Sequence, residues 1–250
     1  LSWEQGPIAG RPDASIRAGT FTVTLMGILL AHELGHFAVA RLHGFRLTMP
    51  WFLPAPILVG TFGAIIRLED RPRDRTGLLE MGAAGPLAGL VVIVIVMGIR
   101  LAVGGTPVED AGTWTLARPA LWWILGLAIT GAVPPEISTQ DPMAFGAWIG
   151  CLVTAMNLVP FGQLDGGHIL AGCWPRRARI VGWGITVLLL AAGLLWPAWA
   201  VWAGLLHLMG ARHPVEPKKP EIPLSPRAMA VAGFAIVAFC LCFTPVPVWG

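Results

Sequence analysis

Tyrosine is absent from this 250-residue chain, and charged residues make up only 12% of it. Soluble domains carry about 25% charge, so a chain built only of one or two soluble domains is not expected. Cysteine is scarce. Cys151, Cys173, Cys240 and Cys242 form no Cys-x-x-Cys pair, which argues against a zinc ribbon or a disulfide framework. They read as buried, reduced thiols. No polybasic tract with interleaved aromatics occurs, so nucleic acid is not an expected partner. No cleavable signal pattern, internal repeat or low-complexity segment stands out.

What is present points to a membrane. Apolar residues reach 55% and Trp numbers 12, with a mean hydropathy of +0.70. Trp anchors helices at the lipid–water boundary. The expected fold is an all-α polytopic membrane protein. About six transmembrane helices are predicted, with a short membrane-associated β-hairpin or re-entrant segment.

Residues 1–19 are polar and read as a loop or linker. Thr20 to Leu42 is the first apolar run, some 34 Å long at about 1.5 Å per residue, enough for a core of roughly 30 Å. Residues 45–68 are apolar but broken by Pro50, Pro54 and Pro56, and "ILVGTFGAIIRL" (57–68) reads as a short hairpin or extended segment. Leu78 to Val103, Met143 to Val159, 178–196 and a shorter 198–210 are further spans, and 120–133 is too short to cross. The expected organisation is a core over 20–210, then a Pro-rich loop and a C-terminal transmembrane helix within 211–250.

Loop charge suggests an orientation. Basic residues gather at Arg41 to Arg75, at Arg176 to Arg179, and at Arg212, Lys218, Lys219 and Arg227. Glu109, Asp110, Glu136 and Asp141 lie in the 103–142 loop, against Arg118. If 120–133 does not cross, all three basic regions fall on one side, which the positive-inside rule makes cytosolic.

Within the first span lies "HELGH", residues 32–36. Histidines four apart share a helix face, so His32 and His36 can hold one metal while Glu33 acts as general base. Polar residues at bilayer depth are costly and mark function. The bland alternative is a hydrogen-bonded cluster joining helices. Zinc suits two imidazoles and an oxygen, and a catalytic zinc needs a third protein ligand. Asp165 is the candidate, in "MNLVPFGQLDGGHILAG" (156–172), where Pro160 breaks one helix and another begins. It could instead merely cap that helix. Asn157 could hold a substrate carbonyl or a developing oxyanion, or could bond to a neighbouring helix. Glu80 reads as a snorkelling or cap residue, and Glu69, Asp70 and Asp74 as loop ion pairs. His43, His168, His207 and His213 read as structural, with a supporting role beside the metal open for His168.

"HELGH" and "NLVPFGQLDGG" (157–167) together resemble the site-2 protease family of intramembrane zinc metalloproteases (M50 type). "GTFG" (60–63) and "GPLAG" (85–89) are similar to stretches of the family as well. The likeness covers about residues 20–172. It implies His32, His36 and Asp165 as ligands of one Zn2+, Glu33 as catalytic base, and Asn157 as a catalytic residue that positions substrate. It implies a compact, bacterial-like member, since neither a PDZ-like insert nor a nucleotide-sensing domain is visible. The family often places a span before its H-E-x-x-H helix; here 19 polar residues precede it. The implied activity is regulated intramembrane proteolysis in a cell membrane, with the site reached from the cytosol. The implied substrate is a transmembrane protein such as a membrane-tethered transcription regulator or an anti-sigma factor.

Gly60, Thr61, Phe62, Gly63 and Ala64 are expected to bind an extended substrate along a strand edge. The alternatives are an H-E-x-x-H membrane protease with Glu80 as third ligand, or a non-catalytic zinc-binding or zinc-transporting protein. Serine and aspartyl intramembrane proteases fit poorly. No Gly-x-Ser-Gly stretch occurs, and a second intramembrane Asp is missing.

Overall fold

The computed structural model describes residues 12–45, 51–54, 61–65, 72–104, 115–208, 215 and 217–249. Among them are eight helices. These are α1 (Pro12–Leu42), α2 (Arg75–Val103), α3 (Ala120–Thr130), α4 (Pro142–Leu158), α5 (Asp165–Cys173), α6 (Ala178–Ala192), α7 (Ala198–Leu208) and α8 (Pro226–Cys242). Four short strands accompany them: β1 (Trp51–Pro54), β2 (Thr61–Ile65), β3 (Thr115–Leu116) and β4 (Val248–Trp249).

Two helices, α1 from Ala14 onward and α2, are long and apolar enough to cross a membrane. α1 begins at Pro12, inside the stretch read from sequence as a loop. Thr20 and Thr22 return their hydroxyls to the carbonyls of Ile16 and Ala18, so polar residues extend the helix rather than break it.

α2 is the ruler of the bundle. At its first turn Asp74 accepts from the Gly77 amide at 2.8 Å. Asp74 is therefore a helix cap, where the sequence suggested a loop ion pair. Arg75 donates to the carbonyls of Gly172 and Cys173, at 2.7 and 2.5 Å, which ties the end of α5 to the start of α2. At the far end Arg100 pairs with Asp141, the N-cap of α4. α4 and α5 together thus follow α2 from one end to the other, interrupted over residues 159–164. Pro160 and Gly162, at φ +52°, make the interruption.

Large apolar residues such as Leu25, Ile93, Met97 and Trp122 are buried between the helices, but α8 packs in the inverse sense of a helix in a soluble protein. On α8 the buried positions are Ala228, Ala232, Ala235, Ala238 and Cys242, while Phe234, Ile236 and Val237 face outward. On α2, Val91, Ile95, Ile99 and Val103 form an exposed stripe four residues apart. Small residues inside and large apolar residues outside suit helices packed against one another in lipid. Cys151 and Cys242 are buried as expected. Cys173 is half-buried and Cys240 is exposed on the outer face of α8, against the expectation for both.

α3 is an eleven-residue helix, too short to span, as the sequence indicated. Gly126 sits so close to the Pro134 ring that a Cβ there would lie 2.5 Å from it. The chain therefore folds straight back along α3, and the Trp122 indole donates to the Pro135 carbonyl at 2.9 Å.

β1 and β2 form an antiparallel hairpin, pairing Trp51 with Ile65 and Phe52 with Ala64. The hairpin expected within 57–68 therefore recruits its first strand from 51–54. Glu69 and Asp70 lie outside the described residues.

The basic regions converge. The amides of Lys218 and Lys219 donate to the carbonyls of Pro72 and Arg73, at 2.9 and 3.0 Å. The α5–α6 turn reaches the same end through Arg75. Three segments far apart in sequence thus share one end of the bundle.

Candidate metal centre

His32 and His36 project from one face of α1, one turn apart. Their rings meet edge to face with centroids 4.8 Å apart, and their Nε2 atoms are separated by 3.1 Å. Asp165, the first residue of α5, brings one carboxylate oxygen to 3.2 Å from His32 Nε2 and the other to 3.3 Å from His36 Nε2. The Asp165 carboxylate caps nothing: the N-cap is Leu164, with no side-chain capping bond. The capping role weighed for it is therefore not seen among the described residues.

These donors fit zinc. Ligand atoms about 2.0–2.1 Å from a tetrahedral ion lie roughly 3.3–3.4 Å from one another. The three separations approach that edge. The set supplies two imidazoles and a carboxylate, and all three ligand atoms fall within 4.8 Å of one another. His36 Nδ1 donates to the Met81 carbonyl at 2.8 Å, which directs its Nε2 lone pair toward the site.

Glycines make the room. A Cβ on Gly85 would collide with the His36 ring, and one on Gly89 would lie 3.4 Å from the His32 Cβ. On Gly82 it would come within 2.8 Å of the His168 Cβ and 3.0 Å of the Asp165 carbonyl oxygen. Gly82, Gly85 and Gly89 line the face of α2 that receives the two rings and α5. Gly35 lets α1 approach, since a Cβ there would strike the Ala84 carbonyl. Pro86 follows Gly85 within α2. It has no amide hydrogen for the Gly82 carbonyl and disturbs the turn that carries Met81.

The "DGG" turn is equally tight. Gly166 packs against the carbonyls of Leu158 and Val159, and Gly167 against those of Phe161 and Gly162. Any side chain at either position would push Asp165 away from α1.

Glu33 is half-buried. Its carboxylate lies within electrostatic reach of His36, His32 and Asp165, and it makes no hydrogen bond among the described residues. Asn157, in the last turn of α4, is half-buried as well. It makes no side-chain hydrogen bond among the described residues, so the helix-joining role weighed for it is not seen. His168 Nδ1 is a buried polar atom without a partner among those residues.

Glu80 stands apart from this group. Its side chain is 8% exposed, and it accepts from His43 Nε2 at 3.0 Å and faces Arg227 Nε at 3.5 Å. It is not a snorkelling residue, and its carboxylate is not grouped with His32, His36 and Asp165; it joins the ends of α1 and α2 to the start of α8. Gly60, one of the expected substrate-binding residues, lies outside the described residues. Thr61, Phe62, Gly63 and Ala64 form most of β2, and only their backbone is described.

Sequence reading missed Met81 and the glycines of α2 as parts of the site. The spacing of Gly82, Gly85 and Gly89, which places them on one helix face, was the signal available.

Comparison with known proteins agrees with this geometry. The sequence pattern of Peptidase family M50 matches residues 20–194. "Probable zinc metalloprotease EGY1, chloroplastic" of Arabidopsis thaliana is 31% identical over 235 residues, covering 90% of this chain and 42% of that protein. "Probable zinc metalloprotease EGY2, chloroplastic" of Oryza sativa subsp. indica is 31% identical, covering 88% of this chain and 40% of that protein. The protein of the same description from Arabidopsis thaliana is 34% identical over 202 residues, covering 78% and 36% respectively. The chain thus spans about two-fifths of the length of these relatives.

Proposed function

Because this chain belongs to peptidase family M50, we propose that it is an intramembrane zinc metalloprotease, hydrolysing peptide bonds in or beside the transmembrane segments of membrane proteins. The observation that carries the reading is the convergence of His32 and His36 on α1 with Asp165 on α5, beside Glu33.

His32, His36 and Asp165 would hold the ion. When bound, zinc supplies a water of lowered pKa and polarises the scissile carbonyl. Glu33 takes the proton of the attacking water and delivers it to the departing amine. Asn157 is free to donate to the substrate carbonyl oxygen as charge develops there. A helical substrate hides its peptide bonds in its own hydrogen bonds and must unwind first. The β1–β2 hairpin offers strand edges along which residues 60–64 would hold the extended segment.

α1, α2, the α4–α5 pair and α8 would supply four passes; α6 and α7, at 15 and 11 residues, would complete the expected six only as a hairpin that enters and leaves at the basic end, since α7 is no longer than α3. The meeting of the basic segments at one end of the bundle supports a cytosolic placement of that end. Asp165 lies on the portion of the broken α4–α5 passage that leads to it, so water would enter from the cytosol. A membrane-tethered transcription regulator or an anti-sigma factor, cut after a first cleavage elsewhere, would suit such a site in a bacterial cell membrane.

The test pairs zinc content with cleavage of a transmembrane peptide by purified protein, wild type against Glu33→Gln. Both forms should hold one zinc per chain, and the variant should lose about 10²–10⁴-fold in rate. Persisting cleavage by Glu33→Gln would sink the assignment.

A further inference from the structure

At the basic end of the bundle lies an open cavity of about 930 Å³, bordered by Arg75, Trp174, Arg176, Arg177, Pro217 and Glu221 among others. It is separate from the metal centre. Three arginines face one glutamate within this lining. Arg75 is held in place by its bonds to the Gly172 and Cys173 carbonyls. Those bonds use Nε and Nη2 and leave Nη1 without a hydrogen bond among the described residues. Arg176 and Arg177 are exposed and make no side-chain hydrogen bond among the described residues. The charge is therefore gathered, partly pre-positioned and mostly unspent.

A second feature says what kind of anion suits it. Trp174, on the rim, is 62% exposed. Below it α6 starts at Ala178 and turns Ile180, Trp183, Val187 and Leu190 outward, with exposures of 72%, 56%, 65% and 52%. These positions recur at three- and four-residue steps, so they make one apolar stripe leading away from the cavity. An amphipathic anion would set its phosphate among the arginines and its chains along this stripe. Exposed Trp belongs at such a boundary, and arginine recognises phosphate through paired donors.

We propose that this cavity binds the phosphate of an anionic phospholipid, with the acyl chains lying on the outer face of α6. The lipid would hold the start of α2, the α5–α6 turn and the 217–221 loop together. The C-terminal end of α5, and hence Asp165, is anchored to the first of these through Arg75, and the 217–221 loop is bonded to the residues just before it.

The experiment uses the full chain in neutral detergent. Phosphatidylglycerol, phosphatidylcholine and inorganic phosphate are added separately, and bound lipid is counted by native mass spectrometry while thermal stability is followed in parallel. Phosphatidylglycerol should bind and stabilise at concentrations where phosphatidylcholine and phosphate alone do neither. The double variant Arg176→Ala/Arg177→Ala should bind it about thirtyfold more weakly, the sum of two membrane-surface basic contacts, with zinc content unchanged. Should that variant misfold, Arg176→Glu alone, on an exposed turn, should abolish the preference for the anionic lipid. Equal binding of the two lipids, saturation by inorganic phosphate alone, or undiminished affinity in the folded variants would each overturn the proposal. None of these outcomes bears on Glu33 or the metal centre, so the protease reading is tested independently.

Discussion

His36 Nδ1 donates to the carbonyl oxygen of Met81 at 2.8 Å. One hydrogen bond between α1 and α2 thereby sets the tautomer of a proposed metal ligand, leaving Nε2 as the ring nitrogen able to take an ion. The bond exists because Gly85 has no side chain; the His36 ring occupies the space its Cβ would fill.

Gly85→Ala should therefore displace the ring from Met81 and weaken zinc binding by at least about tenfold. Gly27→Ala is the control, since a Cβ on Gly27 meets nothing within 4 Å. That change should leave zinc binding intact and stabilise α1 by roughly 0.5–1 kcal/mol. Zinc titration of the two variants checks both; equal affinity in wild type and Gly85→Ala would mean the cradle is not needed.

Zinc should act as a clamp between α1 and α5. Free zinc at about a hundred times its Kd should add roughly 2.7 kcal/mol to the stability of the chelator-stripped protein. The gain should vanish in Asp165→Ala, which removes the link to α5. Melting curves with and without zinc decide this, and the same gain in Asp165→Ala would count against Asp165 as a ligand.

Glu80→Ala should lower thermal stability and leave zinc content per folded chain unchanged. The substitution strands His43, whose side chain is 26% exposed, so the loss should fall at the lower end of the about 1–3 kcal/mol that a buried unsatisfied group costs. Arg227→Ala should cost no more than about 1 kcal/mol, because the Arg227 side chain is 77% exposed and its attraction is screened. Zinc lost in proportion to Glu80 removal would revive Glu80 as the third ligand.

Ala64→Pro should cut turnover more than zinc content, because proline removes an amide from a strand proposed to hold substrate. Ala64 pairs with Phe52 across the hairpin, so a control for hairpin integrity is needed. Limited proteolysis of the 45–75 region supplies it. Equal losses of zinc and of turnover would argue that the hairpin supports the fold and not the substrate.

The chemistry was legible in the sequence because it is local. The spacing of His32 and His36 needs only helix geometry, and Pro160 with Gly162 announces a broken helix just ahead of Asp165. What stayed hidden depends on partners. Gly82, Gly85 and Gly89 look like lipid-helix glycines until the rings they admit are known. Glu80 looked like an end-of-helix acid because nothing local reveals that His43 and Arg227 converge on it. The start of α1 was misplaced for a related reason: a polar residue argues against a span, but not against a helix that runs on past one. The convergence of the basic loops followed from counting passes. The bonds from Arg75 to Gly172 and Cys173 supply the contact that counting could not.

The distance in sequence between "HELGH" and Asp165 also sets an order of events. Synthesis delivers His32, Glu33 and His36 first, as the proposed base and two of the three proposed ligands. The carboxylate arrives only after α2, α3 and α4 have followed and the chain has turned at Gly166 and Gly167. Throughout that interval the nascent chain lacks one of the three proposed ligands. On the protease reading proposed above, the chain would therefore meet the helices threaded beside it before it could cut them.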